Sequence, residues 1–241
     1  MKNTVLLVEP RDDPFCITLL NQFIRVLGTE KWDYVFYFGK GTRDSWKILN
    51  PEIVELRELP VSNFDTAAQY SDFMKQKSLW ESLTGDFVLT IQLDTWILEN
   101  TGFSIEEFMK MDRTIIGGNM SYRWQELNRE QLWFSHLNLN GGLSLRKRAE
   151  ILQVCHAYPA EPTVWPSPRI ACDAEDVYFA LGAYRLGLKI GNDEETSTFC
   201  LHRYEKPEFF AMHQLYEDAA TDIEKRYPNL RKIHPYLFYK K

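Results

Sequence analysis

Asp86–Trp96, DFVLTIQLDTW, is the stretch whose reading decides the fold. Phe87, Val88, Leu89, Ile91 and Leu93 form a near-continuous apolar run of strand length. Such runs belong to strands buried on both faces, as in α/β sheets. Asp94 stands where the run loses strand character, which puts a carboxylate at the carboxyl end of a central strand. In open α/β sheets that edge is where ligands sit. An ionised carboxylate beside a core needs a cation, hydrogen-bond donors or water. Taken alone, Asp94 also reads as a residue closing a turn before Trp96-Ile97-Leu98.

Outward from this strand, apolar strands alternate with amphipathic helices. Thr4–Val8, Tyr34–Phe38 and Ile53–Leu59 read as strands on the amino-terminal side. A helix opened by Pro14 and stopped by Gly28 lies between the first two, and a helix capped by Asp65 runs to Leu83. Beyond the central strand, Ser104 and Glu107 have capping-box spacing, and Thr114–Ile116 reads as a strand. Gly141–Leu145 reads as another strand, followed by a helix over Arg146–Ala157. Asp173 is placed to cap a helix running to about Gly187, Leu188–Ile190 is a further candidate strand, and a last helix reaches about Arg226. Two long connections interrupt the alternation: the polar, aromatic-rich Asn119–Asn140, and the Pro-rich stretch around Trp165. The alternation predicts one α/β domain over residues 1–241, with a mostly parallel mixed sheet flanked by helices. Its core covers about 4–216 and a helical tail covers 217–241.

Composition narrows the function classes. The formal net charge of -6 argues against general affinity for nucleic acid. The four cysteines, Cys16, Cys155, Cys172 and Cys200, form no C-x-x-C pair and read as reduced, buried thiols. No signal-peptide pattern follows Met1-Lys2-Asn3, and no apolar run approaches the ~18–20 residues of a membrane span. The expectation is a cytoplasmic protein; the basic, aromatic tail after Arg226 reads as a closing helix before it reads as a peripheral membrane contact. Aromatic residues make up 14% of the chain, and such rings build cores or stack on sugars.

Three further groups carry chemistry. Asn140-Gly141-Gly142 lets backbone approach a ligand closely, with Asn140 able to hydrogen-bond it. Glu175 and Asp176 stand at a helix start, where carboxylates also complement the helix dipole. Glu175 points away from that helix's apolar face and Asp176 lies on its border, so either can reach a cleft. His213 sits late in the chain between Met212 and Gln214.

A strand ending in Asp, a Gly-rich turn, a Glu-Asp at a helix start and a late His together resemble the four core motifs of GT-A-fold glycosyltransferases. The sequence is most similar to a glycosyltransferase-like family long described only as an uncharacterised domain of bacteria, viruses and eukaryotes. The similar pieces are Val8-Glu9-Pro10-Arg11, Trp32-Asp33, Tyr70…Phe73-Met74…Leu79-Trp80, Ile91-Gln92-Leu93-Asp94, Asn140 to Arg146, Glu175 to Phe179, and His213. They cover about residues 4–216. One departure from D-x-D is Gln92, which can hydrogen-bond but adds no second negative charge.

The resemblance implies a metal-dependent transfer of sugar from a nucleotide-diphospho-sugar to a hydroxyl acceptor, a saccharide or glycoconjugate. It implies Asp94 and His213 as ligands of Mn²⁺, or of Mg²⁺, and Glu9, Arg11 and Gln92 at the nucleotide. Asn140, Gly141 and Gly142 face the donor sugar in this reading. Asp176, with Glu175 beside it, is the candidate general base of an inverting reaction. A sugar- or nucleotide-binding relative without turnover, and a metal-dependent nucleotidyltransferase, are the alternatives. Oligomeric state has no signal in the sequence.

Overall fold

The computed structural model of the chain describes residues 1–99, 101–119, 139–158, 174–202 and 208–238. At its centre lies β1 (Asn3–Glu9), parallel to β2 (Trp32–Phe38) on one side and to β4 (Phe87–Ile91) on the other. β3 (Val54–Glu58) extends the parallel set beyond β2. β7 (Leu139–Lys147) lies antiparallel to β4, and β6 (Ile115–Asn119) antiparallel to β7. The six-stranded order is β3-β2-β1-β4-β7-β6, so chain order reverses between β1 and β4. Such a reversal opens a crevice at the carboxyl ends of the two strands. A second, three-stranded sheet joins β5 (Thr95–Ile97), β9 (Ala211–His213) and β8 (Cys200–Leu201), in that order.

β1 shows why the sheet is buried on both faces. Val5 and Leu7 enter one apolar cluster with Leu19 and Phe23 of α1 (Phe15–Leu27). Leu6 and Val8 enter a second cluster, with Trp80 of α3 (Lys77–Glu81), Val154 of α5 (Arg148–Ala157) and Phe179 of α6 (Glu175–Arg185). An apolar run without alternation is what two covered faces require. Gly28 ends α1 at φ 73°, as its position after the last apolar residue predicts. α4 (Ile105–Lys110) begins with the Ser104–Glu107 capping box.

Several elements differ from the sequence reading. The helix expected over 65–83 is two: Thr66, not Asp65, caps α2 (Ala67–Met74), and α3 follows separately. The Trp80 indole N–H donates to the Met74 carbonyl at 2.7 Å, taking the acceptor that a continuous helix would give to Ser78. β7 continues through Arg146, so the following helix begins two residues later than expected. Of Leu188–Ile190, only Ile190 pairs, in a single bridge to Ile115. α7 (Asp193–Phe199) was not anticipated, although Asn192 and Glu195 form a reciprocal capping box whose spacing is visible in the sequence. Asp173, Trp165 and nearly all of the connection between Asn119 and Asn140 lie outside the described residues. Cys16, Cys155 and Cys200 are buried free thiols, and Cys172 is outside the described set. Among the described residues, no helix is long and apolar enough to cross a membrane.

After α8 (Glu217–Arg226) and α9 (Leu230–Ile233) the chain turns inward on His234. Its buried ring accepts the Leu237 N–H at Nδ1 (2.9 Å), so Nε2 carries the hydrogen donated to the Thr95 carbonyl (2.8 Å). Phe15 and Trp96 meet the ring edge-on. Burial depresses its pKa from 6.5 to about 4. The unfolded chain therefore binds the proton first as pH falls. Stability from this group is complete above the unfolded value of 6.5 and is lost progressively towards 4, by about 3 kcal/mol in all. Urea midpoints measured from pH 7 to 4 should fall with this slope and fall less steeply in His234→Gln. Equal slopes would assign the titration elsewhere.

Candidate functional site

Gly141 and Gly142 lie inside β7, in an irregular turn of the strand where its register against β6 shifts, and both glycines are required by what they touch. A Cβ on Gly141 would lie 2.5 Å from Glu175 Oε1 and 2.9 Å from Arg146 Nη2. One on Gly142 would lie 2.2 Å from His213 Nε2. The turn thus separates two polar groups: an acid–arginine pair on one side and a histidine on the other. Asn140 Oδ1 accepts the Gly142 N–H at 2.9 Å, so this side chain closes its own turn.

On the first side, Arg146 is wholly buried, with its guanidinium 5.5 Å from the Trp80 ring centre and 5.2 Å from that of Phe179. Nη2 lies 2.7 Å from Glu175 Oε2, and Nε donates to Ser144 Oγ at 2.8 Å. Glu175, expected to point away from the apolar face, is 5% exposed and packed inward on Arg146. Burial pushes its carboxyl above the ordinary range and Asp176 adds to this, while Arg146 works against it. Asp176 is half-buried; its Oδ2 accepts the Gly141 N–H at 3.0 Å and its Oδ1 accepts the Val177 N–H at 2.8 Å. Helix α6 and the glycine turn are thereby joined through one carboxylate. Ala174 occupies the N-cap position.

On the second side, β5 and β9 pair antiparallel with Thr95 opposite His213, and Gln214 N–H donates to the Asp94 carbonyl at 2.9 Å. Gln214 adopts φ 40°, a left-handed conformation uncommon outside glycine. This register brings His213 Nε2 within 3.2 Å of Asp94 Oδ1. Burial works to raise the Asp94 carboxyl, but His213, its own backbone amide and His202 outweigh it and hold it below the usual value. The His202 ring stacks on His213 with centroids 4.8 Å apart. Its Nδ1 lies 2.9 Å from the His213 carbonyl, which can only accept, so that nitrogen carries the hydrogen. The His202 backbone N–H is held by Asn119 Oδ1 at 2.9 Å. Nothing in the spacing of His202 from His213 announces the stack in the sequence.

At the crevice between β1 and β4 lies a cleft of about 580 Å³. Glu9, Arg11, Gln92 and Asp94 all line it, as do Phe64, Tyr70 and Tyr236. Glu9 grips Arg11 with both oxygens, each at 2.7 Å, and also accepts its backbone N–H at 3.0 Å. Glu9 is buried and Arg11 mostly exposed, so the carboxylate holds a guanidinium out at the cleft wall and keeps it above its ordinary pKa. Asn140, Gly141, Gly142, Glu175, Asp176 and His213 do not line this cleft; they adjoin it through the Asp94–His213 contact and the glycine turn. Among the described residues, no group of three or more His, Cys, Asp or Glu side chains is arranged to hold a metal ion.

Comparison with known proteins gives a family and a fold. A family model described as "Protein of unknown function (DUF5672)" matches residues 53–215. No curated protein matches the sequence. The structure is similar to that of the galactosyltransferase LgtC, solved with donor and acceptor sugar analogues, at a TM-score of 0.55 and 10% identity, over 95% of each chain. It is similar to residues 1–349 of S. aureus TarS at a TM-score of 0.54 and 16% identity, over 97% of this chain and 64% of that one. A mannosyltransferase of Pyrobaculum calidifontis, solved with GDP-Man and Mn²⁺, matches 78% of this chain and 53% of its own at 14% identity, with a TM-score of 0.49. The fold is of the GT-A type, as the motif order implied.

The packing of Gly142 against His213 can be tested without any ligand. Gly142→Ala should lower stability by about 1–3 kcal/mol, the range for overpacking, measured by urea unfolding. In a His213→Ala background the same substitution should cost almost nothing, because the ring it strikes is gone. Equal costs in both backgrounds would mean that the ring is not what demands glycine there.

Proposed function

This chain belongs to the DUF5672 family, and from the cleft at its sheet's switch point we propose that it transfers a sugar from a nucleotide-diphospho-sugar to a hydroxyl acceptor, with a divalent cation at Asp94 and His213. The observation that carries this reading is the meeting of the Asp94 carboxylate and the His213 imidazole at 3.2 Å beside a nucleotide-sized cleft. That the fold is shared with LgtC, a galactosyltransferase, supports it.

The residues fit a cation. His213 Nδ1 is buried with no hydrogen-bond partner among the described residues. In the structure Nε2 carries the hydrogen of its contact with the Asp94 oxygen; a cation would take that hydrogen's place, leaving the imidazole hydrogen on Nδ1. Asp94 and His213 would hold the cation, with diphosphate oxygens to complete its ligation, and a carboxylate–imidazole pair would suit Mn²⁺ over Mg²⁺. When bound, the ion supplies Lewis-acid stabilisation of the leaving nucleoside diphosphate. Gln92 adds a neutral hydrogen bond at the cleft, and Arg11, oriented by Glu9, meets the nucleotide. The glycine turn of Asn140–Gly142 borders the donor sugar, between His213 and Glu175. Asp176 takes the proton of the attacking hydroxyl in an inverting reaction, its carboxylate oriented by the Gly141 N–H. Glu175 is a positioning residue through its pairing with Arg146. We take the chain as one catalytic domain working in the cytoplasm on a saccharide or glycoconjugate acceptor.

The test is product analysis on a panel of nucleotide-sugars with Mn²⁺ and mixed saccharide acceptors. Release of nucleoside diphosphate supports the proposal; pyrophosphate would indicate a nucleotidyltransferase, and binding without product a module that only recognises the nucleotide. Asp94→Ala should abolish turnover. Asp176→Asn should lower kcat by roughly 10²–10⁴-fold, the worth of positioned proton transfer, with donor affinity nearly unchanged. Wild-type turnover in either variant would remove that residue from the mechanism.

A further inference from the structure

The cleft has a wall contributed by the far end of the chain. Tyr236 lines it together with Val8–Arg11, Phe64 and Gln92–Asp94. The segment carrying Tyr236 is tightly fastened. His234 is bonded to the Thr95 carbonyl, Leu237 N–H closes onto His234, and Leu215 N–H donates to the Leu237 carbonyl at 2.6 Å. Leu215 and Phe238 form a parallel bridge. His234, Leu237 and Phe238 are all buried, yet Tyr236 between them remains 38% exposed. Its phenol donates to the Asp13 carboxylate, whose other oxygen accepts the Phe15 N–H at the start of α1. Its ring lies 5.5 Å from that of Phe15. A buried strap thus holds one large aromatic half-open at a fixed point on the cleft, near the guanidinium that Glu9 presents.

From this geometry we propose that residues 234–238 complete the donor site, with Tyr236 offering its ring face to the nucleobase of the nucleoside diphosphate. The inference rests on the nucleotide-sugar reading. An aromatic ring held by a hydrogen bond and a neighbouring ring loses little freedom on stacking against a heterocycle. Phe64 and the Arg11 guanidinium line the same cleft and suit the same flat ligand. His234 and Asp13 act through Tyr236, by fixing where its ring stands.

The experiment titrates the full chain with UDP, GDP, CDP and ADP, each with Mn²⁺, and with inorganic pyrophosphate and Mn²⁺, by calorimetry. Tyr236→Ala should weaken the preferred nucleoside diphosphate by roughly tenfold or more, as loss of base stacking does, while pyrophosphate affinity stays at the wild-type value. Tyr236→Phe should keep most of the affinity and Tyr236→Leu should lose it, which decides the matter if the alanine variant fails to fold. Unchanged nucleotide affinity in Tyr236→Ala and Tyr236→Leu would overturn the proposal, as would an equal loss for pyrophosphate. Wild-type protein that binds pyrophosphate and nucleotides alike also overturns it. Wild-type protein that binds none of them overturns the donor reading itself.

Discussion

The ion pair between Arg146 and Glu175 is the constraint from which the rest of the site follows. A guanidinium with no solvent access, set against the rings of Trp80 and Phe179, is tolerable only if a carboxylate and hydrogen-bond acceptors meet it. Glu175 supplies the carboxylate. Ser144 accepts from Nε and is in turn bonded to Thr90 of β4 at 2.6 Å, while Nη1 and Nη2 have no hydrogen-bond partner among the described residues. Removing one partner of such a pair costs about 3–5 kcal/mol, whereas replacing both with well-packed apolar residues can cost nothing. The pair is therefore better understood as a locator than as a source of stability. It fixes the start of α6 against β7, and so fixes where Asp176 can accept the Gly141 N–H.

The second sheet performs the corresponding task for Asp94 and His213. These residues are far apart in sequence, and three short strands bring them to 3.2 Å. The pairing of Thr95 with His213 sets the register, Gln214 closes it in a left-handed conformation, and His234 braces Thr95 from behind. His202 stacks on the His213 imidazole and donates to the His213 carbonyl. Both glycines of the turn lie between these two arrangements, each without a side chain because a different polar group occupies the space.

Much of this was legible in the sequence. The central strand came from a near-continuous apolar run, and the buried β4, parallel to β1, bears out that reading; it ends at Ile91, and Asp94 follows in the turn before β5. The order of the four motifs gave the GT-A fold. Other features depend on long-range packing and left no local mark. Arg146 reads as the first residue of a helix, since nothing nearby says that a buried carboxylate awaits it. Glu175 reads as outward because helical periodicity ranks it by the apolar face of its own helix and does not register an arginine arriving from a strand. The break between α2 and α3 depends on one indole hydrogen bond. His202 and Tyr236 reach their places through β8 and through the strap at 234–238, neither of which has a strong sequence pattern.

Asp94 and His213 are proposed as half of a cation site that a diphosphate completes. Calorimetric titration of Mn²⁺ into wild-type protein and His213→Ala, each with and without a saturating nucleoside diphosphate, tests it most directly. The account predicts weak Mn²⁺ binding to the protein alone, much tighter binding with the nucleotide present, and loss of most of that enhancement in His213→Ala. Mn²⁺ affinity that is indifferent to nucleotide, or an enhancement that survives intact without the imidazole, would contradict it.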